Sequence, residues 1–240
     1  MPLYLALDIL AISIPLAFSF EKRLQFYKLW KGLFPSIFVV GLGYVIWDSI
    51  FTKNGVWGFN PEYLVGIYFF NLPLEEYLFF ICVPYAGVFT FHVFKTLMPE
   101  FRIKDKTLQP VLYIFAVILL VVGLLYKSRS YTHITFYFTA VSLAISFLFF
   151  RQLLSHFILS YAAILLPFFI MNGILTGMWI ENEVVWYNDS ENLGIRLFTI
   201  PLEDVFYGMA LILWNVNLTY YFGSVFKKRK HPEVSSGNFN

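Results

Sequence analysis

The sequence predicts an all-α polytopic membrane protein of about seven spanning helices. Three observations carry this. Hydrophobic residues make up 59% of the 240 positions and charged residues only 13%, about half the charged share of a soluble domain. The apolar residues gather into runs of about eighteen or more, the length that crosses a bilayer as a helix. Lys and Arg also divide unevenly between alternate loops.

The first element is an apolar helix over 3–20. It lacks a basic leader region and carries Asp8 and Pro15, so it reads as a retained helix and not a cleaved signal peptide. Further helices are expected over 33–50, 73–94, 110–126, 131–150, 156–178 and 198–222, the fourth being the shortest. The apolar segment 62–72, interrupted by Glu62, is expected to be an interfacial or re-entrant piece leading into the third helix.

With seven spans, one side receives Lys22, Arg23, Lys28, Lys31, Lys95, Arg102, Lys104, Lys106, Arg151 and the basic run 227–230. The other receives only Lys53, Lys127, Arg129 and Arg196. The bias places the N-terminus outside and the C-terminus in the cytoplasm, in a membrane expected to be a bacterial inner membrane. The tail 226–240 is expected to be a disordered basic segment that meets anionic lipid.

The chain also repeats itself. Asn71-Leu72-Pro73-Leu74-Glu75-Glu76 resembles Thr199-Ile200-Pro201-Leu202-Glu203-Asp204, with the two prolines 128 positions apart. At the same offset Asn60 meets Asn188, Gly66 meets Gly194, Ile67 meets Ile195 and Phe70 meets Phe198. The expected organisation is a three-helix repeat over 1–94, a linker with the fourth helix over 95–130, and a second three-helix repeat over 131–225. An odd repeat plus one extra helix gives two copies of the same orientation, related by a pseudo-twofold along the membrane normal.

Acids at membrane depth are costly and point to function. Glu75, Glu76, Glu203 and Asp204 stand just after Pro73 and Pro201, where a helix begins and its dipole favours negative charge. Helix starting alone accounts for first-turn acids, but not for two consecutive acids in both copies. Consecutive helical residues point about 100° apart, so each pair divides its work.

Other chemistries lack their residues. His92, His133, His156 and His231 are scattered without metal-ligand spacing, and Cys82 is single. No nucleophile elbow or phosphate loop is present, and Gly41-Leu42-Gly43 lacks the third glycine of a dinucleotide fingerprint. The seventh helix has no lysine for a retinal Schiff base, and a net charge of +2 is too small to argue for nucleic acid. What remains is acid–base work on an apolar substrate, or ion-coupled transport. Asp48 and Asn172, late in the second and sixth helices, and Asn215 and Asn217 on the seventh are polar at depth and suit helix joining or carboxylate orientation. Trp47, Trp57, Trp179 and Trp186 are expected to be interfacial anchors, and His92 an interfacial residue.

The repeated Pro-Leu-Glu-acid tetrads, Pro73–Glu76 and Pro201–Asp204, resemble those of the membrane-embedded, flavin-free lycopene cyclases. The likeness covers essentially residues 1–225, as a fused two-repeat form without a phytoene synthase domain. It implies a lycopene β-cyclase working on a linear carotenoid drawn from the bilayer, without a cofactor, and associating with other carotenoid enzymes. The end group would be protonated, closed into a six-membered ring and deprotonated. Glu75 and Glu203 are the expected acid and base, tuned by Glu76 and Asp204. Aromatic rings near the tetrads would face the cation: Phe69, Phe70, Tyr77, Phe79, Phe80, Phe198, Phe206 and Tyr207. Asp48 and Asn172 complete the expected substrate pocket. The rivals are a solute transporter with parallel repeats, a carotenoid hydratase that admits water, and a non-catalytic partner of carotenoid enzymes. A sugar path would need many polar side chains at depth, whereas this interior is rich in Phe and Leu.

Overall fold

The structure is a computed structural model and describes residues 2–230. Seven α-helices follow in chain order: α1 (Leu3–Phe18), α2 (Trp30–Lys53), α3 (Leu74–Leu97), α4 (Asp105–Leu125), α5 (Ser130–Phe149), α6 (Arg151–Leu175) and α7 (Leu202–Lys230). Five segments, Phe26–Lys53, Leu74–Leu97, Lys106–Leu125, Ser130–Phe149 and Arg151–Leu175, are long and apolar enough to cross a membrane, and α1 is a shorter apolar helix. Large apolar side chains such as Phe38, Leu125, Leu148, Phe149 and Leu166 point outward, as suits lipid contact for a protein whose backbone bonds close within helices.

Helix α7 runs through the middle of the bundle, against α2, α3, α5 and α6. Its polar residues are buried there, and Asn215 and Asn217 join helices. Ser36 donates to the Asn215 side chain at 3.1 Å, and Asn217 donates to Ser146 at 2.7 Å. His92 likewise ties the chain together, with ring nitrogens 2.8 Å from the Leu24 carbonyl and 3.2 Å from the Tyr220 hydroxyl.

Several boundaries differ from the sequence reading. α1 stops at Phe18 because the Glu21 carboxylate accepts the Arg23 and Leu24 N–H groups and holds a turn. α4 is not the shortest helix: it has 21 residues against 16 in α1. α7 continues to Lys230, into the stretch expected to be a disordered tail, and 231–240 lie outside the described residues.

The segment before α3 opens with a short 3-10 helix, Pro61–Tyr63. It forms a hairpin of β2 (Tyr68–Phe69) and β3 (Leu72–Pro73), after β1 (Trp57–Phe59). The second repeat copies this with β4 (Val185–Tyr187), then β5 (Arg196–Leu197) paired with β6 (Ile200–Pro201). All six strands keep the offset of 128. Pro73 and Pro201 therefore end a strand, and the helices start one residue later. Phe70 and Asn71 both have positive φ, as a two-residue hairpin turn needs.

β1 pairs antiparallel with β4, Gly58 opposite Trp186 at the centre and Trp57 opposite Tyr187. Equivalent strands thus meet about their midpoint, and the pseudo-twofold passes through it. A side chain at Gly58 would run into the Trp186 ring.

The helix packing is less symmetric than the strands. α2 lies tightly on α7, because a Cβ at Gly32 would strike the backbone of Thr219 and Gly223. The matching α3–α6 contact has Phe91 and His156 at the equivalent positions and is looser. Gly32→Val is expected to cost about 1–3 kcal/mol, because backbone cannot swing aside as a side chain can. An unchanged thermal unfolding midpoint in detergent would contradict that close approach.

Candidate active site

The four acids begin α3 and α7 at the strand end of the bundle. All are buried: Glu75 and Glu203 are 0% exposed, Glu76 7% and Asp204 4%. Their surroundings separate them into two kinds.

Glu75 and Glu203 bind backbone of their own repeats. Glu75 Oε1 accepts the Val65 N–H at 2.6 Å, and Glu203 Oε1 accepts the Leu193 N–H at 2.8 Å. In both cases the donor lies ten residues upstream, in the loop before the hairpin. Glu203 Oε1 also accepts the Thr132 hydroxyl at 2.5 Å. Such bonds hold a loop onto a helix start.

Glu76 and Asp204 point the other way, into one narrow pocket of about 60 Å³ on the pseudo-twofold. Both line it, with Asp48, Asn172, Tyr4, Tyr131 and Tyr187. The first repeat's tetrad and the second's therefore build a composite site. The sequence reading assigned the acid and base roles to Glu75 and Glu203, whereas the structure puts Glu76 and Asp204 on the pocket and Glu75 and Glu203 on loop backbone.

The two pocket acids have different partners. Glu76 Oε2 accepts the Tyr4 hydroxyl at 2.6 Å, and Asp48 lines the same pocket. Asp48 in turn accepts the Trp57 indole N–H at 2.5 Å. Asp204 instead accepts three donors: Tyr131 at 2.5 Å, Asn172 at 2.7 Å and Tyr187 at 3.0 Å. That is the bonding of an ionised carboxylate. Tyr187, on β4, keeps its proton for this bond, because burial and the Asp204 carboxylate push its hydroxyl well above the ordinary phenol range.

Rings close the pocket. Trp57 and Tyr131 meet edge-on at 5.0 Å, and Tyr131 stacks on Tyr187 at 5.9 Å. Of the aromatic residues expected there, Phe79 and Tyr207 line it. The others do not. Phe69, Phe70 and Phe198 sit on the exposed hairpins, Phe70 and Phe198 at 84% and 78% exposure. Tyr77 donates to the Phe69 carbonyl at 2.9 Å, Phe80 packs beside Tyr44, and Phe206 packs on Phe115 and Phe136. Flanking a motif in sequence does not bring a ring to the face its acid uses. Asp48 and Asn172 both line the pocket, and Asn172 donates to the acid of its own repeat.

Sequence reasoning missed Tyr4, Tyr131, Tyr187 and Phe168, and it read Trp57 as an anchor, whereas its indole is buried on Asp48. Trp47 too lies against the interior, its ring 5.1 Å from that of Tyr207. Tyr4 and Tyr131 are a repeated pair at an offset of 127, one residue out of register with the repeat of the tetrads. Asp8 is a further buried acid, 1% exposed, with neither carboxyl oxygen hydrogen-bonded.

A family model described as lycopene cyclase matches residues 1–94 and 128–222, one match for each repeat. No curated protein and no solved structure matches the chain.

Proposed function

The chain belongs to the lycopene cyclase family, and from that premise we propose that it closes the linear ψ end groups of lycopene into β-ionone rings by proton transfer inside the composite acid pocket. The observation that carries this reading is the unlike bonding of Glu76 and Asp204 across one apolar pocket: Glu76 accepts one hydroxyl, from Tyr4, and shares the pocket with Asp48, whereas Asp204 accepts three donors.

Glu76, which shares its pocket with the second acid Asp48, gives a proton to the terminal double bond, leaving a tertiary cation. The next double bond along the chain supplies the electron pair that closes the six-membered ring, and the positive charge passes to its substituted carbon. Asp204 then removes a ring proton, and the electrons of that C–H bond form the ring double bond. One proton enters and one leaves, so the product is an isomer of the substrate. An acid and a base held on opposite repeats suit the two proton steps. The rings of Trp57, Phe79, Tyr131 and Tyr207 give the cation faces worth about 0.5–2 kcal/mol each. The narrow apolar walls keep out water that would trap the cation as an alcohol.

The protein is proposed to sit in a bacterial inner membrane, N-terminus outside, which brings the acid pocket to the outer half of the bilayer. Expression in a lycopene-accumulating bacterium tests the reading. Mono- or bicyclic β-ring carotene is the expected product. Unchanged lycopene beside well-inserted protein would end the proposal.

A further inference from the structure

Beside the acid pocket lies a larger apolar cleft of about 430 Å³ between α1, α3 and α6. The two share Phe79, Val83, Phe168, Asn172 and Ile212 as walls, so the cleft leads to the acids. Leu10 and Ile14, at its α1 side, are 60% and 63% exposed on the bundle surface that faces lipid.

The pseudo-twofold requires a second cleft between α5, α7 and α2. A groove does lie there, lined by Val40, Gly43, Tyr44, Trp47, Phe138 and Trp214. It is smaller, about 290 Å³, and shares no wall with the acid pocket. The difference traces to single positions. Where the open cleft has Ala11 and Ala86, the mirror groove has Phe138 and Trp214. Phe138 packs on Trp47 at 5.5 Å, and the Trp214 indole donates to Ser142 at 2.8 Å, so both rings are fixed. The tight Gly32 contact also draws α2 onto α7, while Phe91 and Phe157 stand between α3 and α6 at 6.4 Å.

We infer that the α1/α3/α6 cleft is the one lateral entrance from the bilayer, that it holds the polyene of the linear carotenoid while an end group reaches Glu76 and Asp204, and that Ala11 and Ala86 keep it open. This rests on the cyclase reading for the identity of the occupant. An apolar chain suits the cleft because its walls offer it few polar groups, and continuity with the acids places one end at the reacting groups. With a single entrance, each end group must enter in turn, so a two-ring product requires the one-ring product to leave and re-enter reversed.

Ala86→Trp copies the mirror side, and Ala11→Phe does the same on α1. Each is expected to lower ring formation by about tenfold or more by filling the cleft. The graded series Ala86→Val and Ala86→Leu should fall in order of side-chain volume, and covers the case in which the larger change prevents folding. Gly43→Leu fills the mirror groove, where a Cβ meets nothing within 4 Å, and is expected to stay within about threefold of the unchanged chain. Lycopene retained by the purified, monodisperse protein is the second readout, and it should fall in the same order. If Ala86→Trp and Ala11→Phe insert normally, hold lycopene and cyclise as the unchanged chain does, the cleft takes only lipid and the inference is wrong. If the unchanged chain makes no ring, the cyclase reading fails by itself, and lycopene retention still decides whether the cleft is a polyene site.

Discussion

Glu76→Gln is expected to lower ring formation by about 10²- to 10⁴-fold, the range for loss of a positioned general acid. The amide keeps the shape of the side chain and can still accept from Tyr4, so the bundle should assemble and insert. It cannot deliver a proton to the substrate as the Glu76 carboxyl would. Asp204→Asn removes the base and is expected to fall in the same range, since its three donors all point at a group that must accept. The two losses should not multiply in the double variant, because either step alone stops the reaction. Pigment analysis at matched membrane levels reads all three. Activity within threefold of the unchanged chain for Glu76→Gln would remove the acid from its proposed role.

The second large effect is on folding. Glu203→Leu leaves the Leu193 N–H and the Thr132 hydroxyl facing an apolar side chain in a fully buried place. Each unpaired donor costs about 1–3 kcal/mol, so much of the protein should fail to accumulate, and the remainder should unfold at lower temperature in detergent. Glu203→Gln keeps an acceptor for both donors. It is expected to accumulate normally and to cyclise within about threefold of the unchanged chain. Folded Glu203→Gln protein without activity would place Glu203 in the chemistry, as the sequence pattern suggested. Glu75 should behave alike but more mildly, because its one such bond is to the Val65 N–H.

These two predictions separate acids that look identical in the sequence. Both tetrads read Pro-Leu-acid-acid, and helical geometry says only that neighbouring acids point apart. Which acid faces the axis depends on where α3 and α7 sit relative to β1 and β4. The hairpins displaced the prolines from the first helical position into the strands, and long-range pairing between residues such as Trp57 and Tyr187 set the rest. The same limit explains the aromatic residues. Phe70 and Phe198 repeat faithfully, yet hairpin geometry puts them on the surface. Tyr4 and Tyr131 reach the acids from helices more than seventy residues away in the chain, which proximity in sequence does not reveal.

The helical class, the membrane setting and the two-repeat organisation were determined by the sequence itself, because they follow from local quantities. Apolar length sets a span, and a repeated tetrad marks equivalent places. The composite pocket, the division of the acids into loop-holding and pocket-facing pairs, and the open cleft beside the pocket were decided by tertiary structure. Each depends on how closely two helices approach, and that turns on small differences between the repeats, such as Gly32 against His156 and Ala86 against Trp214. Close packing amplifies one side chain's volume into an open or a closed path, and only the assembled bundle shows on which side it opens.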